Sequence, residues 1–155
     1  MRIIAGKLRG STLCMPKNKN IRPLKDMARE SIFNLLTHSN KIDFQFEQSN
    51  VLDLYAGTGS FGLECLSRQA KNVCFIEKEK DAIEILEKNI EKLKLQDKTR
   101  IFFSDVFSLI KKKSITESKF DLIFCDPPFI NTNIEKLIEL ILNKNLLKKN
   151  GIIIL

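Results

Sequence analysis

Val51-Leu52-Asp53-Leu54-Tyr55-Ala56-Gly57-Thr58-Gly59-Ser60-Phe61-Gly62 carries the pattern of a strand, a turn and a helix in succession. Val51 to Tyr55 is short and mostly apolar, as a buried strand is. Ser60 opens a helical pattern that runs to Gln69. Between them stands a glycine turn. Glycine permits the tight turn and lets a ligand approach the main chain, and the helix N-terminus that follows favours an anion. The spacing G-x-G-x-x-G is a weak signal by itself and takes its meaning from what surrounds it.

The same alternation continues downstream. Asn72 to Ile76 reads as a strand and Asp81 to Leu95 as a helix. In that helix Ile83, Leu86, Ile90 and Leu93 fall on one face, and Asp81 and Glu84 have capping-box spacing. Arg100 to Phe103 is a strand, Val106 to Lys112 a short helix, Phe120 to Cys125 a strand, Asn133 to Leu142 a helix and Gly151 to Leu155 a last strand. Strands and helices in strict alternation, with near-continuous apolar strands, predict α/β architecture with a doubly wound parallel sheet. Upstream, Arg2 to Gly10 fits a short strand and turn, with Ser11 to Leu13 returning. A helix is expected from Asp26 to Thr37, ending near His38, and a polar linker from Ser39 to Ser49. Residues 1–40 are therefore expected to form a basic extension and residues 41–155 the sheet domain.

A chain of 155 residues fits one such domain with a real core. Its net charge of +7 is unevenly placed. The first 30 residues carry eight Lys or Arg against Asp26 and Glu30. Basic residues interleaved with Gly and Pro suit an arm that contacts phosphates, and a solvated basic face is the plainer alternative. Cys14, Cys65, Cys74 and Cys125 are scattered without C-x-x-C spacing, so they read as reduced thiols. With His38 as the single histidine, no metal site is expected. No apolar run reaches membrane-span length and no signal-peptide pattern opens the chain, so the cytoplasm is the expected location and no membrane partner is expected.

The carboxylates point to the kind of ligand. Glu77, at the end of the second strand, is placed to accept hydrogen bonds from two ribose hydroxyls. A nicotinamide dinucleotide satisfies the same glycine pattern. However, Asp53 stands four residues before Gly57, where a carboxylate would repel a pyrophosphate and suit a cationic ligand end. Asp105 follows the third strand, where an adenine amino group would lie, although it is equally placed as a helix N-cap. Asp53, Tyr55, Gly57, Gly59, Glu77 and Asp105 together favour S-adenosylmethionine. Asp126-Pro127-Pro128-Phe129 then ends the Phe120–Cys125 strand. Two prolines stiffen the loop and leave carbonyl acceptors bare of their own donors. Asp126 adds an acceptor, and Phe129 offers a face on which a base can stack. If the Val51–Tyr55 and Phe120–Cys125 strands are neighbours, the glycine loop and the Asp126 loop share one crevice at the switch point of the sheet.

These residues resemble the class I S-adenosylmethionine-dependent methyltransferases of exocyclic amino groups, whose signature is D/N-P-P-aromatic. The N-terminal run Met1 to Gly10, Arg22-Pro23, Asp26 and Arg29-Glu30 before Phe33-Asn34 is similar to the bacterial 16S ribosomal RNA guanine-N2 methyltransferases of the RsmD type. The likeness spans essentially the whole chain. It implies a Rossmann-like methyltransferase sheet with a small basic N-terminal β/α extension. It also implies methylation of a guanine 2-amino group in 16S rRNA, in a 30S subunit or an assembly intermediate, by a monomer. Asp126, Pro127 and Phe129 would be catalytic, Asp126 would also border the cofactor, and Arg2, Lys7, Arg9, Arg22 and Arg29 would meet RNA. For Arg29 an intrahelical pair with Asp26 is an equal alternative. The family continues past the fifth strand with an antiparallel pair, so the chain is expected to lack the last two strands. A DNA adenine-N6 methyltransferase and a catalytically impaired nucleic-acid-binding module are the competing readings.

Overall fold

The computed structural model describes residues 1–16, 26–112, 115, 119–128 and 133–155. Among the described residues eleven elements follow one another. The helix α1 (Asp26–His38) precedes β1 (Asn50–Leu54), α2 (Ser60–Ser67), β2 (Asn72–Glu77) and α3 (Lys80–Leu93). A 3-10 turn at Gln96–Lys98 leads into β3 (Thr99–Phe103), α4 (Val106–Lys111), β4 (Phe120–Cys125), α5 (Ile134–Asn143) and β5 (Leu147–Ile154). The five strands form one parallel sheet in the order β3-β2-β1-β4-β5. The chain winds outward from β1 to β3 on one side and crosses to β4 on the other, so β1 and β4 flank the switch point.

Period-two alternation sorts the strand side chains onto two faces. Val51, Val73, Phe75, Leu122 and Phe124 lie in one core with Phe61, Leu63 and Leu66 of α2 and with Leu86, Ile90 and Leu93 of α3. Leu52, Leu54, Ile76, Ile123 and Cys125 lie in the other, with Val106, Leu109 and Ile110 of α4 and Leu137 and Ile141 of α5. Both faces of the sheet are covered, which is why its strands read as continuous apolar runs. The helix α2 is buried on every side, and its residues Ser60 to Ser67 have no exposed face. Ile3, Leu13, Phe33 and Leu36 join the first core, so the N-terminal segment packs on the α2 side of the sheet.

Several expectations are adjusted. Residues 2–13 form a hairpin-like turn with a single antiparallel bridge, Arg2 to Thr12, instead of two strands. Ile3 N donates to Ser11 O and Leu13 N to Met1 O, and the arm is also held by side chains of α1, α2 and α3. The capping box at Asp81 is not formed. The helix α3 begins one residue earlier, with Glu79 as an extended N-cap that makes no side-chain cap bond, so Asp81 lies inside the first turn and not at its cap. The strand β5 starts at Leu147, four residues before Gly151. Phe120 pairs with Leu147 and Leu122 with Ile152, so the polar Lys148 to Asn150 run is taken up in a register irregularity.

Candidate active site

The site is built where the C-terminal ends of β1, β2 and β4 meet. Leu54 of β1 is in register with Ile76 of β2 and with Cys125 of β4. Glu77 is one residue beyond the first partner and Asp126 one beyond the second. The loop Tyr55 to Gly59 therefore emerges between two carboxylates. Tyr55, Gly57 and Gly59 all have positive φ (58°, 55° and 79°), so the turn is left-handed at three of five positions. Gly59 is the N-cap of α2 and offers no side chain to its first turn. A Cβ on Gly59 would fall 2.2 Å from Leu86 Cδ1, whereas one on Gly57 would meet nothing within 4 Å. Gly59 is thus a packing glycine, and Gly57 borders open space at the crevice.

Asp53 supplies the missing cap. Its side chain is 1% exposed, and its Oδ2 accepts from Gly62 N at 3.0 Å. A carboxylate in the first turn of a helix sits against the positive end of the macrodipole. Burial still raises the Asp53 carboxyl well above the usual carboxylate range. The Gly62 bond works against that shift, and the charges of Glu77 and Asp126 add to it. The same charges reach Cys125: its thiol is pushed up to about 12, by burial first and then by Asp126 and Asp53. Three carboxylates therefore act on one crevice, and among the described residues no basic group is a cause of the Asp53 shift. A ligand with a cationic end relieves this repulsion, and a pyrophosphate aggravates it. The donor set therefore fits S-adenosylmethionine. Among the described residues no cluster of His, Cys, Asp and Glu is arranged to hold a metal ion, and no helix is long and apolar enough to cross a membrane.

Glu77 is held tightly in place. Its Oε2 accepts from Gly57 N at 2.7 Å, and its Oε1 accepts from Lys78 N at 2.7 Å and Glu79 N at 2.9 Å. A carboxylate has about four acceptor sites, so three main-chain donors leave about one. Asp105 caps α4, its Oδ1 accepting from Ser108 N at 2.9 Å. It follows β3, beside the Glu77 end of β2. Asp126 and Pro128 are exposed and Pro127 half-buried at the mouth of the crevice. Phe129 and Arg22 lie outside the described residues.

Arg2, Lys7 and Arg9 are exposed on the arm. Arg29 is not with them. It is 0% exposed, donating to Arg2 O at 2.6 Å and to Ser60 O at 3.5 Å. Its place is inside, between the arm and the start of α2, because a guanidinium with several fixed donors can satisfy carbonyls from two segments at once.

Glu64, Ser67 and Asn89 are buried polar residues outside the sequence motifs. Glu64 of α2 accepts from Ile4 N at 2.7 Å and Ala5 N at 2.9 Å, and pairs with Arg68 at 3.1 Å. Ser67 accepts from Leu8 N and donates to Ala5 O. Asn89 of α3 joins Cys14 to Thr58. Asn89 carried a readable signal, since it lies three residues after Leu86 on the apolar stripe. Phe61 also bears on the site. It stacks on Phe124 at 3.8 Å and on Phe33 at 4.9 Å, so a column of rings runs from α1 to β4, the strand that leads into Asp126.

Comparison with known proteins gives a consistent result. The sequence model of the family described as Conserved hypothetical protein 95 matches residues 1–155. Ribosomal RNA small subunit methyltransferase D of Haemophilus influenzae is 37% identical over 153 residues, covering 99% of this chain and 76% of that protein. Putative rRNA methyltransferase YlbH of Bacillus subtilis is 30% identical over 154 residues, covering 99% of this chain and 80% of that one. The solved structure of the putative methyltransferase yhhF from Escherichia coli superposes with a TM-score of 0.83 at 31% identity, covering 99% of this chain and 78% of that one.

Proposed function

The chain belongs to the family of ribosomal RNA small subunit methyltransferase D, and from that premise we propose that it methylates the 2-amino group of a guanine in small-subunit (16S) rRNA. The observation that carries this reading is the pairing of β1 with β4, which sets the Asp126-Pro127-Pro128 loop beside the glycine loop at one switch point. When bound, S-adenosylmethionine supplies a methyl group made electrophilic by its sulfonium. Glu77, fixed by three amides, offers its remaining acceptor capacity to ribose hydroxyls. Asp53 and Asp126 hold the negative field that a cationic ligand neutralises. Asp105 stands at the adenine end, and Gly57 leaves room for close approach to the main chain.

The chain's own residues then orient the nucleophile. A guanine 2-amino nitrogen is a poor nucleophile because its lone pair is delocalised into the ring. Asp126 and the Pro127 carbonyl accept its two N–H hydrogens, which frees that lone pair and aims it across the crevice. The amino proton leaves after transfer, when the nitrogen is cationic, so Asp126 acts as an acceptor rather than a strong base. Phe129 stacks on the extruded base. Unstacking it costs a few kcal/mol, and base–aromatic stacking returns about 1–3 kcal/mol. Residues 1–40 serve as the RNA-contacting extension, with Arg2, Lys7, Arg9 and Arg22 toward phosphates, and residues 41–155 as the cofactor-binding domain. The test is Asp126→Ala in labelled methyl transfer to small-subunit rRNA. Turnover should fall by at least about a hundredfold, in the range of positioning effects, with S-adenosylhomocysteine binding nearly unchanged. Near-wild-type turnover would sink the acceptor role.

A further inference from the structure

Two buried side chains tie the N-terminal arm to the glycine loop, and neither belongs to the crevice. Asn89 of α3 is 0% exposed. Its Oδ1 accepts from Cys14 N at 2.6 Å, while its Nδ2 donates to Cys14 O and to Thr58 O, each at 3.2 Å. Three of the four hydrogen-bonding positions of the amide are thereby used on the arm and the loop. At the other end of the arm Arg29 donates to Arg2 O and, at longer range, to Ser60 O. Thr58 and Ser60 flank Gly59, whose left-handed backbone begins α2. Residues 2 and 14 of the arm are thus each joined, through one side chain, to a carbonyl on either side of Gly59. Glu64 and Ser67 also hold the arm, but they fasten it to the far half of α2, away from the loop.

We infer that Asn89 and Arg29 are positioning residues that make the arm and the glycine loop one coupled unit. A ligand that fills the crevice and fixes the loop also fixes the arm that presents Arg2, Lys7 and Arg9. By linkage, RNA on the arm strengthens ligand binding by the same factor. Ordering of one segment by a ligand lowers the ordering cost of the next binding event, so cofactor and RNA bind with positive cooperativity. The inference rests on the proposed function above, since it takes the crevice to be a cofactor site and the arm an RNA site.

The experiment is amide hydrogen exchange on the full chain, with and without saturating S-adenosylhomocysteine. Calorimetry reports binding and thermal unfolding reports the folded state. In the wild type the amides of Ile3, Leu13 and Cys14 should slow at least about fivefold on ligand binding, the low end of typical coupling. In Asn89→Ala that ligand-dependent slowing should fall below about twofold while the ligand still binds. If Asn89→Ala does not fold, Arg29→Lys makes the same comparison, as it keeps the cation but loses the fork that spans two carbonyls. A purely structural role would speed arm exchange equally with and without ligand and leave the ratio intact, which overturns the inference. Wild-type binding without any change in arm exchange also overturns it, alone. A wild type that binds no S-adenosylhomocysteine overturns the functional reading and this inference with it.

Discussion

Gly62→Ala sets two calculable effects against each other. Gly62 lies in the first turn of α2, and the exchange of Gly for Ala in a helix is worth about 1 kcal/mol of stability. Against that stands the space. A Cβ at Gly62 would fall 2.4 Å from Phe75 Cε1, 2.7 Å from Phe75 Cζ and 2.7 Å from Val73 Cγ1. Phe75 and Val73 are both 0% exposed, in the middle of β2, so neither can swing aside. Overpacking of this kind costs about 1–3 kcal/mol. Three contacts below 3 Å place the cost in the upper half of that range. The expected net loss is about 1–2 kcal/mol, or a Tm lower by roughly 2–8 °C for a chain of this size. The displaced helix also carries the Gly62 N–H away from Asp53, so affinity for S-adenosylhomocysteine should fall in parallel. Thermal unfolding followed by circular dichroism measures the first effect and calorimetry the second. A Tm equal to or above wild type would refute the tight seating of α2 on β2 as the reason for this glycine.

Glu77→Ala should weaken S-adenosylhomocysteine binding by at least about tenfold, or roughly 1.4 kcal/mol; an unchanged dissociation constant would remove Glu77 from the site. Asp53→Asn should change stability with a defined sign. Burial, opposed by the Gly62 bond and aided by Glu77 and Asp126, raises the folded-state pKa. The protonated carboxyl therefore stabilises the folded chain below its unfolded pKa of about 3.9, and that contribution is lost as pH rises through the folded value. The ligand-free variant should unfold at a higher Tm than wild type at neutral pH, yet bind the cofactor more weakly; a lower Tm at pH 7 together with unchanged affinity would contradict the account. Lys7→Glu with Arg9→Glu should weaken rRNA binding and lower the salt slope by about 0.7–0.9 for each phosphate contact removed, and an unaltered slope would end the basic-arm reading.

The framework was legible because sheet strands buried on both faces leave an unmistakable pattern. Val51 to Leu54, Phe75-Ile76 and Leu122 to Cys125 are apolar at nearly every position, and the helices between them have a 3.6 period. The neighbouring places of Asp53, Glu77 and Asp126 followed from strand ends, since parallel order fixes which loops face the crevice. Tertiary competition was hidden. The helix α3 starts at Lys80, which puts Asp81 inside the first turn and leaves no capping box there. Arg29 has the sequence of a surface cation, but carbonyls from Arg2 and Ser60 draw it inward. Lys148 to Asn150 look like a loop because the irregular pairing of β4 and β5 leaves them exposed within a strand. Asn89 stands out as an amide on an apolar stripe, but its partners, 31 to 75 residues away, leave no local pattern.

Identifying the methylated nucleoside tests the proposed reaction itself. Small-subunit rRNA from cells lacking this activity would be incubated with the protein and labelled S-adenosylmethionine, digested to nucleosides and resolved by mass spectrometry. The account predicts label in N2-methylguanosine, dependent on Asp126. Label in N6-methyladenosine, or no transfer to any RNA or assembly particle by a chain that binds the cofactor, would contradict it.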